Sequence, residues 1–546
     1  MGNIVRKLPI GIQSFDKLRT ENYLYVDKTK FIYQMAYQGV PYFLSRPRRF
    51  GKSLLLSTFK AYFEGKKELF RGLAIEKLET EWKEHPVLHF SLNAELYDSR
   101  KALENMLERQ LREWEKIYDT GGEGITYSGR FMTIIRRAAE ITGRKVVVLI
   151  DEYDKPLLRN LHNEELQNEF RELLTAFYTV LKDADPWLRF VFITGVTKFA
   201  QVGIFSNLNH LNDISLAPQY AALCGMTLPE IEATFQPELY ALAEANKLSY
   251  EGTIEKITRR IEKITRRYDG YHFDFRSGIA LYNPFSVLNV LSKQVFYDYW
   301  FASGTPTFLA EMLRKTNYDI RELDGIEVSE VSLSDDRANI NGIEVSEVSL
   351  SDDRANINNP VPLIYQSGYL TIKSYDERFR LYTLGYPNEE VKYGFLNFVA
   401  SMYAHLPETE TPFYIGKFIQ ELESGNTEAF LTRLKAFFAD IPYELNDRTE
   451  RHYQVVFYIV FKLLGQFTEA EVRSAQGRAD AIVKTPRYIY VFEFKLRGTA
   501  EEAIRQIDDR GYPIPYTADE REVVKVGVAF DAATRNLGEW LIEKTL

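Results

Sequence analysis

The hydrophobic period of the chain changes sharply near residue 45. Tyr42, Phe43 and Leu44 form a continuous apolar run, which reads as a strand. After a turn ending in Gly51-Lys52-Ser53, the run LLLSTFKAYF spaces its apolar residues as a helix does. Two further runs, VVVLI at 146–150 and FVFITG at 190–195, are too continuously apolar for a half-exposed strand and read as strands buried on both faces, as in a parallel sheet. Between and after them, residues 98–142 and 164–182 carry amphipathic helical spacing. A short run YLYV at 23–26 reads as a strand before another helix. Strands alternating with helices predict a doubly wound α/β domain over residues 1–225.

Residues 226–320 read as mostly helical, with an aromatic segment, YDGYHFDF, at 268–275. Residues 360–385 read as a helix end and a hairpin turning at Asp376-Glu377-Arg378, a winged-helix-like unit. Such a unit binds DNA or serves as a spacer; Lys373, Arg378 and Arg380 are too few to favour DNA. Two unchanged tandem duplications interrupt this middle region, taken as 226–400. IEKITRR stands at 254–260 and 261–267, and GIEVSEVSLSDDRANIN at 325–341 and 342–358. Two copies at different periods do not make a solenoid. The acidic 17-residue unit is placed in a tolerant surface loop. In the last region, 401–546, the segment from 450 onward begins with an amphipathic helix, ERHYQVVFYIVFKLLG. A strand EAEVRS follows, then two strands joined at Thr485-Pro486-Arg487, then the helix of TAEEAIRQIDDRGY.

Composition adds boundaries. The 546 residues are 45% apolar and 27% charged, ordinary for globular protein, and length alone predicts about two to four domains. A net charge of −9 argues against a general polyanion binder, without excluding a local basic groove. The single cysteine, Cys224, allows no intramolecular disulfide and no cysteine metal cluster, and reads as a small buried apolar residue. The N-terminus lacks an apolar leader, and no run approaches the length of a membrane span, so a cytoplasmic protein without membrane contact is expected.

The strand–turn–helix around Gly51-Lys52-Ser53 is the setting in which a GK(S/T) turn cradles a nucleotide phosphate. Lys52 would reach the β- and γ-phosphates, Ser53 would hold Mg²⁺, and amides at the helix start, from Gly51 on, would face the anion. The tripeptide alone occurs by chance in about one chain in four of this length at average residue usage, so context decides. Asp151 and Glu152, at the C-terminal end of the VVVLI run, stand where ligands bind in open α/β sheets. Asp151 would complete the Mg²⁺ shell and Glu152 would polarise the attacking water. Thr194, at the tip of the third run, would sense the γ-phosphate. One departure stands out: the usual turn has glycine five residues before Gly51, and this chain has Arg46 followed by Pro47. Arg46 brings a Cβ to a tight turn and Pro47 removes an amide donor.

In the last region Asp480 lies near the start of one strand, and Glu493 and Lys495 share a face at the end of the next. Two carboxylates beside a lysine make a hard-oxygen Mg²⁺ site suited to phosphodiester chemistry. The competing reading is a charged cross-strand pair on a solvated face. Against it, Tyr488–Phe494 is almost continuously apolar, and buried charges need a reason. Gln506, on the next helix, could be aimed at the same point.

The chain resembles the bacterial AAA-ATPase-like family whose members join a degenerate P-loop domain to a C-terminal PD-(D/E)xK nuclease-like domain. The resemblance spans nearly the whole chain and rests on GIQSF, YVDKT, RPRRFGKS, VVLIDEYDKP, ITGVTKF with IFSNLNHLNDIS, YDGYHF with YNPFS, YQSGYLTI, GRADAIV and YVFEFK. It implies an AAA-like P-loop NTPase fold and a restriction-endonuclease-like α/β end, on either side of the helical and winged-helix-like middle region read from the pattern. It implies nucleotide roles for Lys52, Ser53, Asp151 and Glu152, and a nuclease set of Asp480, Glu493 and Lys495, with Glu450 as a helical acid at the metal. It also implies that Arg46 marks a variant loop rather than a decayed one. The expected partners are ATP, Mg²⁺ and DNA, with a homo-oligomer as a further expectation. Two functions follow: an ATP-dependent or ATP-gated nuclease, or a nucleotide-switched interaction protein whose nuclease fold binds without cutting. Cleavage with a divalent metal separates them.

Overall fold

The computed structural model describes residues 6–121, 126–160, 163–198, 211–246, 264–303, 309, 313, 320–329, 360–404, 411–439, 450–465, 469–472, 480–495, 497–531, 533–534 and 536–545, with backbone alone at 94, 322, 329, 401–404, 450–454, 469–472 and 545. The chain forms two compact units, Met1–Tyr318 with Leu323–Val391, and Asp319–Glu322 with Lys392–Leu546.

The first unit is built on a parallel sheet of five strands in the order β2-β3-β4-β1-β5. These are β1 Tyr42–Ser45, β2 Val87–Ser91, β3 Val146–Asp151, β4 Leu188–Gly195 and β5 Asn212–Asp213. Every residue of β1 and β3 is buried, as two-sided coverage requires. Alternate residues serve opposite faces. Phe190 and Phe192 meet Phe59 of the helix Lys52–Phe63 at ring distances of 5.0 and 5.2 Å. On the other face Phe43, Val148, Ile150, Val191 and Ile193 join one core with the helices Arg100–Tyr118, Tyr127–Thr142 and Glu164–Asp183. Ser99, Thr126 and Asn163 cap those three helices through side-chain oxygens, which satisfies amides that the first turn leaves unpaired. The expected strand at 23–26 is absent: Tyr23 makes one isolated bridge to Lys7, and residues 24–28 belong to no strand.

Beyond the sheet, the kinked helix Leu228–Ala245 and the helix Pro284–Lys293 share a core with Val26, Tyr268 and Tyr282. The short helix Val361–Gln366 leads into an antiparallel sheet of order β6-β8-β7, with β6 Ile326–Ser329, β7 Thr371–Asp376 and β8 Leu381–Gly385. The hairpin turn occupies 377–380, starting one residue later than the pattern placed it and ending two later. Strand β6 corrects the surface-loop expectation for the 17-residue duplication. After Gly325 the first copy continues Ile-Glu-Val-Ser, and these residues pair with β8 and bury Val328. The remainder of both copies, and most of the IEKITRR pair, lie outside the described residues.

The second unit has a five-stranded sheet of order β13-β12-β11-β10-β9. Its strands are β9 Glu469–Val472, β10 Ala481–Lys484, β11 Tyr488–Lys495, β12 Glu522–Asp531 and β13 Asn536–Thr545. Only β11 and β12 are parallel, and the helix Ala500–Asp509 makes the crossover that parallel pairing demands. On one face Phe492 packs against Phe430 and Phe461 at 5.7 and 5.1 Å. On the other, Ile489 and Val491 pack with Ile504 and Ile507 of the crossover helix. Glu493 and Lys495 continue that second row, so the period of two turns them towards the helix. Among the described residues no helix is long and apolar enough to cross a membrane.

Candidate functional site

Strand β4 lies between β1 and β3, with Leu44 opposite Thr194 and Ile150 opposite Ile193. This order brings the ends of three strands together. Asp151, at the end of β3, accepts the Ser53 hydroxyl at 2.6 Å on one carboxylate oxygen and the Thr194 hydroxyl at 2.7 Å on the other. Asp151 and Thr194 are buried. Lys52 is buried too, and its ammonium donates to the carbonyls of Arg46 at 2.8 Å and Pro47 at 3.0 Å. Burial pushes the Lys52 pKa down, opposed by the charges of Glu152, Asp151 and Asp154. Gly51, at φ 92°, starts the helix without a side-chain cap, which leaves the helix N-terminus facing the turn. Glu152 also adopts positive φ, 53°, and its carboxylate lies 3.5 Å from the Lys155 ammonium, which donates to the Asn93 carbonyl.

A cavity of about 840 Å³ opens over this cluster. Residues 48–55, Glu152, Asp154 and Val196 line it together with the apolar side chains of Ile12, Val26, Met226, Phe285 and Leu288. A lining that joins a lysine and hydroxyl donors to apolar side chains suits a ligand with a polyanionic tail and a flat apolar head.

Arg46 does not sit in the cradle. It is 1% exposed, and its guanidinium donates to the carbonyls of Ser45, Ser215 and Tyr220 while stacking on Phe273 at 4.1 Å. Its φ is not positive; the left-handed positions of the turn are Arg49, at φ 67°, and Gly51. The strain expected from a Cβ at Arg46 therefore does not arise.

Asp154 was not singled out in the sequence. It is 1% exposed and accepts from the amides of Val196 and Thr197 and from the Thr197 hydroxyl, which fixes the segment leaving β4. Burial raises its pKa to about 6 against those hydrogen bonds. Nothing in the run DEYDKP distinguishes this acid from its neighbours, because its role depends on a strand forty residues away.

In the second unit, Ala481 pairs with Phe492, so the chain just before β10 runs alongside Glu493. Asp480 accepts the Phe494 amide at 2.8 Å. Glu493 is 3% exposed; its Oε1 accepts from Lys495 at 3.2 Å and from the Gln506 amide, whose own oxygen accepts from Lys495. Its Oε2 is buried with no hydrogen-bond partner among the described residues. Burial, helped by the Asp480 charge, raises the Glu493 pKa to about 7, and burial raises that of Asp480. Asp480, Glu493, Lys495 and Gln506 thus converge. Glu450 starts the helix Glu450–Leu464, but its side chain lies outside the described residues.

Comparison with known proteins finds a family model in each of two regions of the chain. The model of a family described as predicted AAA-ATPase covers residues 9–205, and that of the PD-(D/E)XK nuclease superfamily covers 448–540. A protein of Azotobacter chroococcum mcd 1, described as "Uncharacterized protein in vnfD 5'region", is 36% identical over 549 residues, covering 98% of this chain and 99% of its own length. The chain belongs to the predicted AAA-ATPase family and ends in a PD-(D/E)XK nuclease-superfamily domain. No solved structure matches it. Within this AAA-ATPase-like protein, Gly51, Lys52, Ser53, Asp151, Glu152 and Thr194 gather at one end of the parallel sheet.

Proposed function

We propose that the first unit binds ATP with Mg²⁺ and hydrolyses it, and that the C-terminal domain is a Mg²⁺-dependent nuclease acting on DNA. The observation that carries the first part is the grip of one buried carboxylate, Asp151, on both Ser53 and Thr194 beside Lys52. Oxygen donors alone at that point suit Mg²⁺. Ser53 and Asp151 would hold the ion, and Lys52 would exchange its two loop carbonyls for phosphate oxygens. Thr194 would report the γ-phosphate through Asp151. Glu152 would orient the attacking water, with Lys155 holding its carboxylate in place.

In the C-terminal domain the unpartnered Oε2 of Glu493 supports a missing ligand, because buried carboxylate oxygens are normally satisfied. Asp480 and Glu493 would hold Mg²⁺, which is commonly bound through one or two carboxylates and water. Bound there, the ion would supply charge neutralisation and a more acidic water. Lys495 would face the developing phosphodiester charge, and Gln506 would keep Glu493 and Lys495 in register. Glu450 belongs to the same proposal, as do a cytoplasmic location and a homo-oligomer. Calorimetry with ATP, with and without Mg²⁺, tests the nucleotide part: binding should strengthen with Mg²⁺ and lose that dependence in Ser53→Ala. Equal Mg²⁺ dependence in both proteins would remove Ser53 from the site.

A further inference from the structure

We infer that Ser367 is a direct ligand of the terminal phosphate of the bound nucleotide, contributed by the turn that ends the helix Val361–Gln366. This deepens the ATP reading of the cavity and rests on it. Ser367 lines the same cavity as Lys52, Ser53 and Asp154. It is 3% exposed, and its hydroxyl has no hydrogen-bond partner among the described residues. A buried hydroxyl without a partner is a costly arrangement that folded proteins avoid. A ligand oxygen reaching it from the cavity would remove that cost.

The neighbours of Ser367 place it at the phosphate end. Gln366 accepts the amide of Lys198 at 2.8 Å, on the segment leaving β4 just beyond Thr194. Gly368 stands at φ 91°, and a Cβ there would lie 2.6 Å from Cβ of Pro47. Only glycine lets the turn approach the phosphate loop so closely. Tyr369 interacts with Arg48, and the Trp300 indole donates to the Arg48 carbonyl at 3.1 Å. The turn is thus fastened on one side to the loop that holds Lys52 and on the other to the exit of β4. Lys52 marks the β- and γ-phosphates, so a hydroxyl held between these two segments faces the terminal phosphate rather than the base.

Calorimetry of the full chain with MgATP and MgADP tests this. Ser367→Ala should weaken ATP binding about tenfold and leave ADP binding within about twofold. Its melting temperature without nucleotide should equal or exceed that of the wild type, since an unsatisfied hydroxyl has gone. Ser367→Cys, close in volume but a weak donor, should show the same loss of ATP preference. Lys52→Ala should lose both nucleotides. An unchanged ratio of ATP to ADP affinity in Ser367→Ala, or an equal loss for both, would overturn the inference while leaving the nucleotide site standing. Failure of the wild type to bind either nucleotide would overturn both readings.

Discussion

Glu390 offers a quantitative test of how the first unit is held together. Its carboxylate is 1% exposed and accepts the Ser286 hydroxyl and the Trp300 amide, both at 2.7 Å. Burial raises its pKa from 4.5 to about 8, with Asp298 adding to the rise and the two hydrogen bonds and Arg267 opposing it. The folded state therefore keeps a proton that the unfolded chain releases. The stability from this group is complete below pH 4.5 and lost progressively as pH rises through 8. At about 1.36 kcal/mol per pH unit the loss is at most about 5 kcal/mol. Glu390→Gln keeps the geometry: the amide oxygen accepts from Trp300, the amide nitrogen donates to Ser286, and nothing ionises. The two proteins should be similarly stable at pH 5, and the variant should gain by several kcal/mol as pH rises to 8.5. Urea unfolding followed by tryptophan fluorescence across that range measures the difference. A difference independent of pH, or a variant less stable at pH 8.5, would refute the reasoning.

Lys52→Ala should remove most ATP binding, and the wild-type Kd should be nearer micromolar than nanomolar, about −8 kcal/mol, since Pro47 takes one amide donor from the loop; calorimetry checks both. Arg46→Gly, which restores the usual loop residue, should destabilise the fold by about 3 kcal/mol or more without tightening nucleotide binding, because it strips donors from the buried carbonyls of Ser45 and Ser215 and abandons the stack on Phe273. Denaturant melts and nucleotide titration of the same preparation separate the two effects. Deleting one copy of the 17-residue duplication should barely change the melting temperature, since the remaining copy still supplies Ile-Glu-Val-Ser to β8 and loop length costs only about 0.6 kcal/mol per doubling.

What the sequence disclosed follows from how local each signal is. Strands β3 and β4 are continuous apolar runs that declare two-sided burial, and Asp151 and Thr194 end them, so their meeting followed from a parallel sheet. Asp480 and Glu493 were legible because a short turn, Thr485-Pro486-Arg487, leaves little freedom in the register of β10 and β11. Strand β2 carries its apolar residues on alternate positions over only five residues, and β5 has two residues, too few for any period. YLYV has strand composition but no partner strand, so the pattern overstated it. The destination of Arg46 depended on carbonyls about 170 residues away in the chain, and that of Ser367 on the phosphate loop far upstream; neither leaves a periodic trace. The Ile-Glu-Val-Ser strand was hidden by the polar, duplicated segment that follows it.

The central claim, that one chain carries an ATP site and a separate metal-dependent nuclease site, is tested most directly by incubating the protein with Mg²⁺, ATP and single-stranded or duplex DNA, and scoring phosphate release and DNA fragments together. In wild type both products should appear. Lys495→Ala should abolish fragments while sparing metal and ATP binding, whereas Asp480→Ala and Glu493→Ala should lose metal binding at that site as well as cutting, with ATP binding intact. Lys52→Ala should abolish phosphate release. Fragments that persist in Asp480→Ala and Lys495→Ala, or phosphate release that persists in Lys52→Ala, would contradict the assignment of chemistry to these residues.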